Sequence, residues 1–222
     1  MHHFNIVLSR SVLSIYIIIF CFTYFVSAFQ LLNAQDSATN EYHISFQENS
    51  AIVNSLKKQL NNTDSIPDFL SKEDKIKITG TIYQADGITP ANGVEFFIYQ
   101  PDENGNYCLK RDSDKSYVYH KASIKTGVDG KYTFYTFIPG IVHRSGALRH
   151  IHPVIKEEGK DEYDLNSFYF DNDPLLTKFR LKRLVKKGRD ISVLQLEKKD
   201  ALFVATRDII LGEDISACSN KK

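Results

Sequence analysis

The chain has 222 residues, 42% hydrophobic and 25% charged, enough for one globular domain with segments to spare. Its 28 Lys and Arg against 27 Asp and Glu give a formal charge of +1, which leaves no broad basic field for a nucleic acid. Twelve Tyr and 15 Phe, with no Trp, weight the composition toward strands.

Residues 1–28 read as an export signal. A short leader with Arg10 precedes an uninterrupted apolar stretch from Ser11 to Ala28, which ends on the small residues Val26-Ser27-Ala28. Leu32-Asn33-Ala34 offers a second cleavage site. The rival reading is an uncleaved membrane anchor, since the apolar run approaches a bilayer-spanning length. The expected location is therefore outside the cell or in a periplasm, with an N-terminally anchored form as the alternative. Cys21 leaves with the signal, and Cys108 and Cys218 remain. They either pair in an oxidising compartment or stay as thiols.

Residues 29–71 read as a polar linker. Within it, Ile52, Val53, Leu56 and Leu60 recur at helical spacing. They suggest a short helix that packs on the domain or on a second copy of the chain, which leaves a homodimer open.

Residues 72–216 carry the folded domain, and 217–222 a polar tail. Ile76, Ile78 and Ile82 alternate onto one face of a strand. The stretch VEFFIYQ is apolar on both faces and reads as an interior strand. Between them DGITPANG is turn chemistry, and Asn104-Gly105 is a tight-turn pair. SYVYHKASIKT and KYTFYTF read as further strands, followed by one around Arg149-His150-Ile151-His152 and by SFYF. One helix interrupts them, with Asp173 as cap, Pro174 in its first turn and LLTKFRLKRLVKK behind. DNDP therefore reads as a helix start rather than a calcium loop. DISVLQLE and ALFVATRDIIL close the chain around the turn KKDA. The predicted class is all-β: an antiparallel β-sandwich with one helix in its C-terminal half and a short helical or linker segment ahead of it.

No phosphate loop, nucleophile elbow or zinc-finger spacing is present. The remaining chemistry is His150-Ile151-His152. Alternate residues of a strand share a face, so both imidazoles look one way while Ile151 and Ile155 look to the core. Two surface histidines would give the same pattern. A metal site needs a further ligand from elsewhere, and Tyr107, just after the Asn104-Gly105 turn, is the candidate. Phenolate with two imidazoles suits hard ferric iron better than zinc.

Three segments in order, ITGTIYQADGITPANGVEFFIYQPDENGNY, TGVDGKYTFYTFIPG and RHIHPVIKE, resemble the intradiol ring-cleavage dioxygenases over roughly Lys75 to Leu211. FDNDPLL and VATRDIILG are similar to an exported branch of that family. The resemblance implies a β-sandwich holding non-haem Fe(III) on two tyrosines and two histidines. It implies a catechol-type aromatic diol as substrate, opened between its hydroxyls with both atoms of O2. Matched residue by residue, Tyr107, His150 and His152 become the metal ligands and catalytic residues. Two positions depart from the family. Val142 stands where its second tyrosine would, and Ala147 where better-known members carry an arginine. His143, next to Val142, or a water or hydroxide could take the fourth ligand position. A site that binds metal or ligand without turnover is the alternative reading.

Overall fold

The computed structural model describes residues 60–112, 115–141, 146–186, 191–213 and 215. The expected leader, the helix around Ile52, and Val142, His143 and Cys218 lie outside the described residues. The described residues all fall in one unit, Ser50–Lys222. Among them no helix is long and apolar enough to cross a membrane.

The strands follow the alternation of the sequence. In β2 (Lys75–Tyr83), Ile76, Ile78 and Ile82 are fully buried while the intervening residues are not. In β7 (Lys131–Phe137), Tyr132 and Phe134 are buried in the same way. These two strands pair antiparallel over seven residues, from Lys75–Phe137 to Thr81–Lys131. β1 (Thr63–Ser65), β13 (Leu202–Thr206), β12 (Glu197–Lys199) and β14 (Ile209–Ile210) complete the first sheet, ordered β1-β7-β2-β13-β12 with β14 also on β2.

The second sheet runs β11-β10-β8-β3-β6, with β9 also on β8. Its strands are β3 (Glu95–Tyr99), β6 (Lys121–Lys125), β8 (His150–Lys156), β9 (Tyr163–Asp164), β10 (Phe168–Phe170) and β11 (Ser192–Leu194). β3 is interior, as its two apolar faces require. Pro153 sits inside β8 without cost because the neighbouring ladder breaks there, between β9 and β10.

One core fills the space between the sheets. Phe96 and Ile98 of β3, Ile124 of β6 and Ile151 and Ile155 of β8 meet Ile76, Ile78, Tyr132 and Phe134. The ring of Phe96 stands edge-on to Tyr132 and Phe134 at 5.0 and 5.1 Å. This is the expected all-β sandwich with a single helix, α1 (Lys178–Lys186).

Four details differ from the sequence reading. Pairing is mixed: β1–β7, β2–β13, β2–β14 and β10–β11 are parallel. β1 belongs to the sheet, so the domain starts ahead of residue 72. Its Thr63-Asp64-Ser65 has no apolar alternation to announce it; backbone pairing at a sheet edge holds it. SYVYHKASIKT splits at Tyr119-His120: its first part pairs with β4 (Leu109–Asp112) as β5 (Lys115–Val118), and its second part is β6. α1 starts later than Asp173, where Thr177 Oγ1 accepts the Arg180 amide at 3.2 Å.

Candidate metal centre

The alternation of β8 sends Ile151 and Ile155 inward at 0% exposure and leaves His150 and His152 half-buried on the opposite face. Each imidazole then meets a tyrosine on the adjoining strand. His152 is the register partner of Tyr99 in β3, and His150 that of Tyr169 in β10. Tyr99 lies flat on His152, ring centroids 4.6 Å apart at 12°. Tyr169 is inclined to His150 at 45° and 5.8 Å.

Tyr107 arrives from the loop after β3. That loop is wound around Asp102, whose carboxylate accepts the amides of Asn104 and Asn106 at 2.9 and 2.8 Å. Gly105 takes the left-handed φ of 81°. Gly140 packs against the loop so closely that a Cβ there would strike the backbone of Glu103 and Gly105. The result delivers the Tyr107 hydroxyl to 2.8 Å from His152 Nε2. His150 Nε2 lies 2.9 Å from His152 Nε2. The three residues singled out in the sequence thus converge on one point. His143 lies outside the described residues.

The protons of this cluster conflict. His150 Nδ1 is 2.7 Å from the Leu148 carbonyl, which can only accept, so Nδ1 carries the proton. In a neutral ring, His150 Nε2 is then a lone pair and His152 Nε2–H must donate to it. Tyr107 faces that same nitrogen, and its own O–H cannot donate there. With His152 in its other tautomer, protonated at Nδ1, Tyr107 Oη and the two Nε2 atoms would present three lone pairs to a cation. Among the described residues no three His, Cys, Asp or Glu side chains form a metal-holding group; the third donor here is a phenol. Phenol and imidazole together fit ferric iron. The Leu148 carbonyl fixes the ring and tautomer of His150.

The surroundings stiffen the cluster. Burial pushes the Tyr99 hydroxyl well above its ordinary 10.0, and Asp164, Tyr107 and Glu162 add to the effect, so Tyr99 stays a neutral platform. Asp173, buried, accepts the Arg149 amide at 2.7 Å and the Leu175 amide at 2.8 Å. The carboxylate that reads as a helix cap therefore ties down the residue before His150. Arg180 of α1 donates to the Gly146 carbonyl on the same approach. Sequence reasoning did not single out Tyr99 or Tyr169; the cue was their even spacing within strands whose other face is apolar.

No protein-family model matches the chain, and no curated protein matches it in sequence. Solved structures do match in fold. The dioxygenase domain of a dioxygenase carbohydrate-binding protein fusion from Streptomyces sp. SirexAA-E aligns at TM-score 0.52 and 21% identity, over 68% of this chain and 87% of that one. Catechol 1,2-dioxygenase from Acinetobacter sp. ADP1 aligns at 0.50 and 16%, over 67% and 56%. Catechol 1,2-dioxygenase from Pseudomonas arvilla C-1 aligns at 0.50 and 16%, over 73% and 61%. The chain thus spans less than two thirds of the length of either catechol dioxygenase, and with these proteins it shares the intradiol-dioxygenase fold.

Proposed function

We propose that the chain is a non-haem ferric-iron dioxygenase that opens a catechol-type aromatic diol between its two hydroxyls, consuming O2. A fold alone does not assign an activity. The observation that carries the reading is that the Tyr107 hydroxyl and His150 Nε2 lie 2.8 and 2.9 Å from His152 Nε2. Tyr107, His150 and His152 would hold the metal. Bound ferric iron supplies Lewis acidity that favours the ionised diol and its reaction with O2.

The chain's own groups prepare that site. Leu148 keeps the proton on His150 Nδ1 and the lone pair on Nε2. Tyr99 holds the plane of the His152 ring by stacking. To hold the metal, Tyr107 would give up its Oη proton to solvent, and His152 would carry its own proton on Nδ1 so that Nε2 offers a lone pair. Phe97 and Val154, 1% and 7% exposed on this sheet, keep water from beneath the site. With Val142 in place of a second tyrosine, a binding-only version of this site is the second reading.

Both readings meet one experiment. Protein loaded with ferric iron is expected to hold one iron per chain, to show a visible tyrosinate-to-iron band, and to shift that band on adding catechol. Under air the enzyme yields a ring-opened muconate-type product. The same band without product leaves the binding-only site. Colourless, iron-free protein removes both readings.

A further inference from the structure

We propose that α1 is a docking face for an anionic lipid surface, lying in the headgroup layer with Phe179 turned into it. The proposal is independent of the ferric reading. Between Asp173 and Asp190 the sequence carries seven Lys and Arg and no acid, although the whole chain has a formal charge of only +1. Five of these cations, Lys178, Arg180, Lys182, Arg183 and Lys186, fall within the nine residues of α1. At about 100° per residue, Arg180, Leu181 and Leu184 share one side of the helix, and these three are its half-buried residues. Arg180 donates to the Gly146 carbonyl from that side. The other side presents Lys178, Phe179, Lys182, Arg183, Val185 and Lys186, all exposed.

Helix stability does not account for this face. Arg183 and Lys186 suit the C-terminal end of the helix dipole, but Lys178 stands at the opposite end, where a cation is unfavourable. Lys178, Lys182 and Lys186 follow one another at four-residue spacing, so neighbouring like charges repel. Among the described residues, no carboxylate forms an ion pair with an α1 cation. Asp173, the nearest acid before the helix, is buried and bonded to the Arg149 and Leu175 amides. A negative partner from outside would relieve the repulsion. Phe179, 76% exposed, and Val185, 59% exposed, select which partner. Phe179 has Lys182 and Arg183 one turn ahead of it on the same face. A soluble polyanion would use the charges and leave the ring in water. A lipid surface takes both, the cations at the phosphates and the ring at the acyl boundary beneath them. The lysine stems are long enough to keep their ammoniums at the phosphates as the ring enters.

The test is flotation of the full chain with vesicles of phosphatidylcholine alone and of phosphatidylcholine with phosphatidylserine in roughly 2:1 ratio. Wild type should prefer the anionic vesicles and lose that preference at high salt. Lys182→Gln combined with Arg183→Gln should bind them about 20-fold more weakly, since each charge at the surface contributes about 5-fold. Phe179→Ser should bind them about 10-fold more weakly. All these positions are exposed, so the urea midpoint should not move. The chain has no Trp, so Phe179→Trp gives a single emission, which should shift to the blue with the anionic vesicles. Equal binding by wild type and the charge variant, or equal binding to both vesicle types, assigns the affinity to the apolar stretch from Ser11 to Ala28 and overturns the proposal. A loss with the charge variant but none with Phe179→Ser, and no blue shift in Phe179→Trp, makes the face a polyanion site and also overturns it. A wild type that binds neither vesicle does the same, and none of these outcomes touches the ferric reading.

Discussion

On the outer face of the first sheet, Lys77, Thr79 and Tyr135 stand half-exposed, with the Lys77 ammonium 5.9 Å from the Tyr135 ring. On the outer face of the second, Phe97 is 1% exposed, and Tyr99 and Val154 7% each. Both faces are the off-beat residues of strands whose other beat fills the same core. The first reads as the usual solvated side of a sheet, with Lys and Thr on the beat that water sees. Along β3 the second is apolar and aromatic on both beats, though β6 beside it turns Lys121, Ser123 and Lys125 outward, and Tyr107 arrives over β3 and β8 from a loop. A covered outer face excludes water around polar groups without spending core positions on them. That is why the His pair sits there and not between the sheets.

The contrast breaks most sharply by truncation. Phe97→Ala should cost about 3–5 kcal/mol in urea unfolding, the loss of a buried ring. Lys77→Ala on the other outer face should cost no more than about 1 kcal/mol. Equal costs would mean that the second face is not a buried layer. The two beats of β8 separate next. His152→Ala should weaken ferric binding on the order of 100-fold with little change in metal-free stability. Ile151→Ala, one residue away, should cost about 2–5 kcal/mol and leave the iron stoichiometry of the folded protein intact. Iron titration and chemical unfolding read the two effects independently.

Gly140→Ala tests how the cover is held. The new Cβ would meet the backbone of Glu103 and Gly105, and backbone cannot give way as a side chain can. The loop must shift, carrying Tyr107 from His152. The expected outcome is a loss of about 1–3 kcal/mol in stability and about 10-fold in iron affinity. Wild-type affinity in that variant would mean that the loop does not set the Tyr107 position.

What was legible in the sequence follows from which interactions are local. Alternation at Ile76, Ile78 and Ile82 is a property of the chain itself, and it marked β2 with its core face. His150 and His152 were readable for the same reason, and Tyr107 because Asn104-Gly105 announces its turn. Tertiary contacts were not readable. β1 is polar and is held by tertiary contacts, its pairing with β7 and the Asp64 carboxylate on the Ser123 amide. Asp173 has the residue type of a helix cap, but its carboxylate is used by Arg149 across the fold. DISVLQLE reads as one strand, yet it leaves the second sheet after Leu194 and enters the first at Glu197. Tyr99 and Tyr169 gain their meaning only from the registers that set them beside the histidines.

The smallest effect belongs to the rim between the sheets, where His120 is 4% exposed with its ring edge-on to Phe137 at 5.2 Å. Burial holds its imidazole below the ordinary 6.5, helped by the Lys72 charge and opposed by Glu103, Asp102 and Asp68. The folded chain therefore takes this proton only at a pH below 6.5, while the unfolded chain begins to take it near 6.5 itself. Between the two values the unfolded state holds more protons. The contribution is thus whole above 6.5 and is lost as pH falls through the window to the depressed folded value. Urea midpoints at pH ~7.5 and ~5.5 should drop further in wild type than in His120→Leu, which keeps the site apolar and cannot titrate. Equal drops would assign the acid sensitivity to carboxylates. The buried imidazole of the rim would then contribute nothing to it.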